Sequence, residues 1–143
     1  MHTMARILLA VAIALTAGAH AAEPGDGAIE EQILLAARDL GAAAPQSMIT
    51  GKTLGLQDES RLPFEVEAGK SYVVAGACDE DCGELSLAAE DADGAVIDAS
   101  DENTDTPSLI FRPTASGKVS IHVIMEDCAD DACSYGVGFF VLK

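Results

Sequence analysis

Lys118-Val-Ser-Ile-His-Val-Ile-Met125 (KVSIHVIM) is the stretch that decides the fold. Side chains alternate across a strand with a period of two, so Val119, Ile121, Val123 and Met125 share one face and Ser120, His122 and Ile124 the other. The first face is a core face. The same alternation recurs upstream, where Leu62, Phe64 and Val66 interleave with Glu65 and Glu67, and Leu85, Leu87 and Ala89 with Ser86 and Ala88. Tyr72, Val74, Phe111, Val137, Phe139 and Val141 complete the expected core. From Ser47 onward, short runs of this kind are separated by Gly, Asp, Asn and Pro. They predict strands near residues 47–56, 61–67, 70–77, 84–89, 95–99, 108–112, 118–125 and 135–142, with tight turns at Ala68-Gly69 and Asp93-Gly94. Eight short strands without helical spacers predict a mainly β chain, an antiparallel β-sandwich with jelly-roll-like connections.

One short amphipathic helix is expected before the strands. In GDGAIEEQILLAARDLG, Ile29, Ile33, Ala36, Ala37 and Leu40 recur at helical spacing, Asp26 is a candidate N-cap and Gly41 a stop. Ahead of it, Arg6 precedes an uncharged, mostly apolar stretch from Ile7 to Ala19 and an Ala19-His20-Ala21 cleavage pattern. This reads as a secretory signal peptide, too short for a membrane span. The expected organisation is a signal peptide at 1–21, a helix and linker at 22–46 and a β-sandwich domain at 47–143. Export places the protein in the periplasm or outside the cell, without a membrane span.

The 143 residues carry 24 Asp plus Glu against 8 Lys plus Arg, for a formal charge of −16. Nucleic-acid binding is excluded on this ground, because it requires a basic patch to displace counterions. Such a charge favours a soluble monomer. Cys78 and Cys82 bracket an acidic segment in CDEDC, and Cys128 and Cys133 another in CADDAC. Four cysteines permit three connectivities. The two local pairs are favoured because a short turn brings its ends within bridging distance. A four-cysteine zinc site is disfavoured, since the acidic neighbours oppose thiolate formation.

Residues 53–142 resemble bacterial pre-peptidase C-terminal domains and their small exported stand-alone relatives. The resemblance is carried by the strand ending in CDEDC, the ELSL strand at 84–87, the Asp91-x-x-Gly94 turn, the Pro107-x-x-x-Phe111-x-Pro113 segment, and Gly117-x-x-x-Ile121-x-Val123 followed by CADDACSYGVGFF. It implies a β-sandwich that serves secreted peptidases as an accessory or binding module and not as their catalytic part. Glu84 and Ser86 stand where relatives tend to carry aspartates, so no metal-ligand role is carried to those two positions.

No catalytic signature accompanies these features. His122 is the only histidine beyond the leader and lies mid-strand among apolar residues, and the chain has no G-x-S-x-G, H-E-x-x-H, P-loop or G-x-G-x-x-G pattern. A non-enzymatic binding module is therefore expected, its partner an envelope or secreted protein or a glycan. A peptidase-associated or inhibitor-like accessory role is the alternative. The acid-rich turns are the candidate contact surface. Asp79, Asp81, Asp91 and Asp93 are candidate Ca²⁺ ligands if turns converge at one end of the sandwich; the alternative is a solvated acidic face. No other cofactor is expected.

Overall fold

A computed structural model describes residues 24–100 and 102–143. The signal peptide expected at 1–21 and Asp101 of the acidic loops lie outside the described residues. The elements are α1 (Pro24–Asp39), β1 (Ala42–Leu54), β2 (Glu59–Val66), β3 (Tyr72–Cys78), β4 (Cys82–Glu90), β5 (Val96–Ala99), β6 (Ser108–Phe111), β7 (Gly117–Cys128) and β8 (Cys133–Leu142). They form two four-stranded antiparallel sheets, ordered β1-β8-β3-β6 and β2-β7-β4-β5. Every connection but β4–β5 crosses between the sheets, which is the jelly-roll arrangement.

The strand face read from KVSIHVIM packs between the sheets as expected. Val119, Ile121, Val123 and Met125 are buried with Leu62, Phe64, Val66, Tyr72, Val74, Leu85, Leu87, Ala89, Phe111, Val137 and Phe139, and Val141 packs against them partly buried. Phe139 is the hub, with its ring 4.5 Å from Phe64, 5.1 Å from Tyr72 and 6.2 Å from Phe111. A second apolar cluster lies on the outer side of the first sheet. There Ile29, Ile33 and Ala37 of α1 cover Val73, Ala75, Ala77 and Phe140. The helix is thus an integral third layer. Gly136 and Gly138 of β8 make the approach possible: a Cβ at Gly136 would lie 2.9 Å from Ile29 Cγ2, and one at Gly138 2.5 Å from Ile33 Cγ2.

Two expectations need correction. The helix starts at Pro24, placing Asp26 in its first turn and not at the cap; proline suits that position because its missing N–H has no helical partner to lose. Residues 42–46, expected as linker, are the beginning of β1. Register shifts around Pro45 and before Lys52 break the alternation that would have revealed the strand, and proline is tolerated because β1 is an edge strand. The Ala68-Gly69 turn forms as expected, with the Lys70 N–H donating to the Glu67 carbonyl at 3.3 Å and Gly69 at a positive φ of 80°, and it carries the chain from β2 in one sheet to β3 in the other. Gly94, at φ 81°, does close the β4–β5 hairpin. Gly41 stops the helix as expected, at φ 82° with its N–H donating to the Arg38 carbonyl.

Candidate functional site

Both local disulfides form, Cys78–Cys82 and Cys128–Cys133, each with its Cα atoms 5.9 Å apart. The first spans the β3–β4 turn and the second the β7–β8 turn. Cys82 pairs with Cys128 across β4 and β7, so the two bridges stand side by side at one pole of the sandwich. Backbone hydrogen bonds join the turns further: Asp79 N–H donates to the Ser134 carbonyl at 3.0 Å and Ala129 N–H to the Asp81 carbonyl at 2.8 Å. The Asp79 carboxylate accepts from Ser134 N–H at 2.7 Å and Asp81 N–H at 3.1 Å. Asp79 therefore shapes the pole, while Glu80, Asp81, Asp130 and Asp131 are exposed on it.

A groove of about 410 Å³ runs between this pole and the first turn of α1, with Asp26, Asp79, Glu80, Asp81 and Asp105 on its walls and no Lys, Arg or His among its lining residues. The groove at the opposite pole is lined by Arg112 and Lys118 as well as Asp91 and Asp93. Of these two grooves, the one with no basic side chain among the described residues that line it lies at the disulfide-braced end. Its chemistry suits a cationic segment, since carboxylates held apart by fixed backbone lose little entropy on engaging one.

The four candidate Ca²⁺ ligands do not come together. Asp79 and Asp81 lie before β4 and Asp91 and Asp93 after it, with a strand about 30 Å long between the pairs. Asp91 spends one carboxylate oxygen on the N–H groups of Asp93 and Ala95, both at 2.9 Å. Among the described residues, no group of three or more His, Cys, Asp or Glu side chains is placed to hold a metal ion, and Ca²⁺ takes six to eight oxygens.

A constellation not anticipated from the sequence occupies the outer face of the β2-β7-β4-β5 sheet. His122 Nδ1 lies 2.9 Å from Glu90 Oε1 and its Nε2 3.1 Å from Glu59 Oε2, while Arg61 reaches Glu59 at 3.2 Å and Glu90 at 3.5 Å. Glu90 is the buried charged residue of the described chain. His122 first, and then Arg61, hold the exposed Glu59 carboxyl below the usual carboxylate range, and Glu59 in turn raises the Arg61 guanidinium. The alternation of Glu59 and Arg61 with Ser60 and Leu62 was the available signal for the β2 half. Glu90 could not be joined to them without knowing that β4 and β2 both flank β7.

No protein-family model matches the chain, and no curated protein matches it in sequence. Among solved structures, it is similar to the Aeromonas hydrophila PliG, a periplasmic inhibitor of g-type lysozyme, at 13% identity and a TM-score of 0.50, over 69% of this chain and 88% of that one. The pre-peptidase C-terminal domain of a Bacillus anthracis collagenase aligns at 14% identity and a TM-score of 0.48, over 65% and 87%. A carbohydrate-binding module of Cellvibrio mixtus lichenase 5A, solved with cellotriose, aligns at 12% and 0.40, over 71% and 92%. At these identities the likeness is one of fold. The β-sandwich implied by the resemblance to pre-peptidase C-terminal domains is the architecture found. No helix among the described residues is long and apolar enough to cross a membrane.

Proposed function

We propose that this protein is an exported, non-enzymatic binding module whose disulfide-locked acidic pole docks a basic segment of an envelope or secreted protein. The observation that carries the reading is the side-by-side placement of the two bridges. Each closes a loop of only 4 or 5 residues, for which the chain-entropy model gives about 2 kcal/mol, against about 4.7 kcal/mol for a 100-residue loop. Their larger contribution is to shape: they fix two acidic turns before any partner arrives, which removes the ordering cost of binding. Disulfides that persist imply an oxidising compartment, in keeping with export. A second reading, inhibition of a separate secreted enzyme, is favoured by the fold shared with the periplasmic lysozyme inhibitor.

Capture from a native envelope fraction on the oxidised protein tests both. Glu80, Asp81 and Asp131 are exposed, and Glu80→Gln/Asp81→Asn/Asp131→Asn should cut recovery of a specific partner about tenfold, as should raising the salt concentration. Equal recovery on the neutralised variant would sink the acidic-pole reading. A recovered hydrolase whose activity falls on adding the protein supports inhibition, whereas a partner with no measurable loss of activity supports the accessory role.

A further inference from the structure

We infer that the outward flank of α1 is the contact face of a two-fold symmetric dimer of this chain, each helix lying antiparallel against its copy with Leu34 and Leu35 at the axis. The helix buries Ile29, Ile33 and Ala37 on the sheet and turns Leu34 and Leu35 away from it, 38% and 42% exposed. These two leucines border a groove of about 580 Å³ between α1 and the first residues of β1, larger than either groove described above. The small side chains of Ala42, Ala43 and Ala44 form its other wall, and the buried Phe140 lines it as well. Because β1 is the end strand of its sheet, the groove lies at an edge that a second molecule can reach.

The charges around the leucines identify the occupant. Glu30 and Glu31 stand one turn before them and Arg38 one turn after, all on the same groove. Asp39, the other charge at that end of the helix, does not line it. Glu31 and Arg38 are seven residues apart, about 10 Å along the axis, whereas pairing within a helix needs a spacing of three or four. Neither they nor Glu30 makes an ion pair among the described residues, in a chain whose acids outnumber its bases by 24 to 8. The order acid, leucine, base is complementary to its own reverse. Glu31 and Arg38 are equidistant from a point between Leu34 and Leu35, so a two-fold axis through that point sets each Glu31 opposite the copy's Arg38 and leucine against leucine. A symmetric contact requires such a self-complementary patch. A parallel copy would set acid on acid and base on base.

The formal charge of −16 on each chain opposes association at long range. The dimer is therefore weak, held by one helix flank and the alanine wall beside it, and its orientation is set by the local match of charge. The acidic groove at the disulfide-braced pole borders the other flank of α1, at Asp26, Ala28 and Gln32. A dimer leaves that groove open on both copies and presents it twice, which would raise the avidity for a partner carrying repeated basic segments. The dimer and the binding role proposed above stand or fall separately.

Sedimentation equilibrium of the purified oxidised protein tests it, with the wild type expected to pass from monomer to dimer between about 10 μM and about 1 mM, as suits a small interface. Leu34→Asp should stay monomeric throughout. Glu31→Arg and Arg38→Glu should each be monomeric alone, because each sets like charges opposite one another. An equimolar mixture of the two should associate, since both contacts of the mixed dimer then match acid with base. A wild type that is monomeric at the highest concentration overturns the dimer and leaves the groove to a partner of different chemistry. Single variants that associate as well as the wild type overturn the antiparallel helix contact. In the wild type alone, whatever the folding of the variants, amide NMR shifts that move with concentration should cluster in α1 and residues 42–45; shifts that move only elsewhere overturn the assignment of the face.

Discussion

Phe139→Ala is expected to lower the unfolding free energy by about 3–5 kcal/mol, the range for truncating a buried phenylalanine, and the midpoint by more than about 10 °C for a domain of this size. Phe139 is 1% exposed. Its ring stacks on Phe64 from the opposite sheet at 4.5 Å and an interplanar angle of 5°, and on Tyr72 from its own sheet at 5.1 Å. Removing it deletes a stacked aromatic contact between the two sheets and leaves a cavity that short, mutually hydrogen-bonded strands cannot collapse to fill. Tyr72 amplifies the effect, because its hydroxyl accepts the Glu67 N–H at 2.8 Å and so couples the aromatic stack to the β2–β3 crossover. Phe139→Leu, which keeps most of the volume, should cost less than half as much. Denaturant unfolding of the pair checks this, and a loss under about 1 kcal/mol for Phe139→Ala would refute the hub role.

The second large effect is expected at Gly138. A valine there would place Cβ 2.5 Å from Ile33 Cγ2 and 2.6 Å from the Phe140 ring. Overpacking of this kind costs about 1–3 kcal/mol, and the helix is the element free to move. Gly138→Val should therefore lift α1 from the sheet, uncovering Val73, Ala75, Ala77 and Phe140. Amide exchange should accelerate in α1 while the β2-β7-β4-β5 sheet keeps its protection. Gly27 provides the contrast, since a Cβ there meets nothing within 4 Å in a helical backbone; Gly27→Ala should stabilise by about 0.5–1 kcal/mol. Unchanged α1 exchange in Gly138→Val would show that β8 and not the helix yields.

These two residues mark how differently parts of the fold were legible. Phe139 was assigned to the core from alternation alone, because one residue's face in a strand follows from its neighbours' faces whatever the partner strand is. Gly138 was silent. Its meaning depends on α1, more than 100 positions earlier in the chain, crossing the outer side of β8. The same double coverage explains why β3 reads as an unbroken buried run from Tyr72 to Cys78 and why Ala75 and Ala77, too small to look like core, are fully buried.

The candidate sites divide along the same line. Local disulfide pairing and the acidity of the bridged turns were readable, since residues 4 or 5 apart are held near one another by the chain itself. The sequence by itself determined the mainly β architecture, most of the strands and their inward faces and the helix that precedes them, and it favoured the two short covalent loops over the other pairings. Period-two alternation reports a face without naming a sheet, so it could not show that Ala68-Gly69 turns between sheets or that β4 separates Asp79 and Asp81 from Asp91 and Asp93. Only the tertiary structure decided which strands became neighbours, and with that the joining of Glu59, Arg61, Glu90 and His122. Such contacts form through the collective burial of both sheets, a long-range free energy that no local pattern encodes.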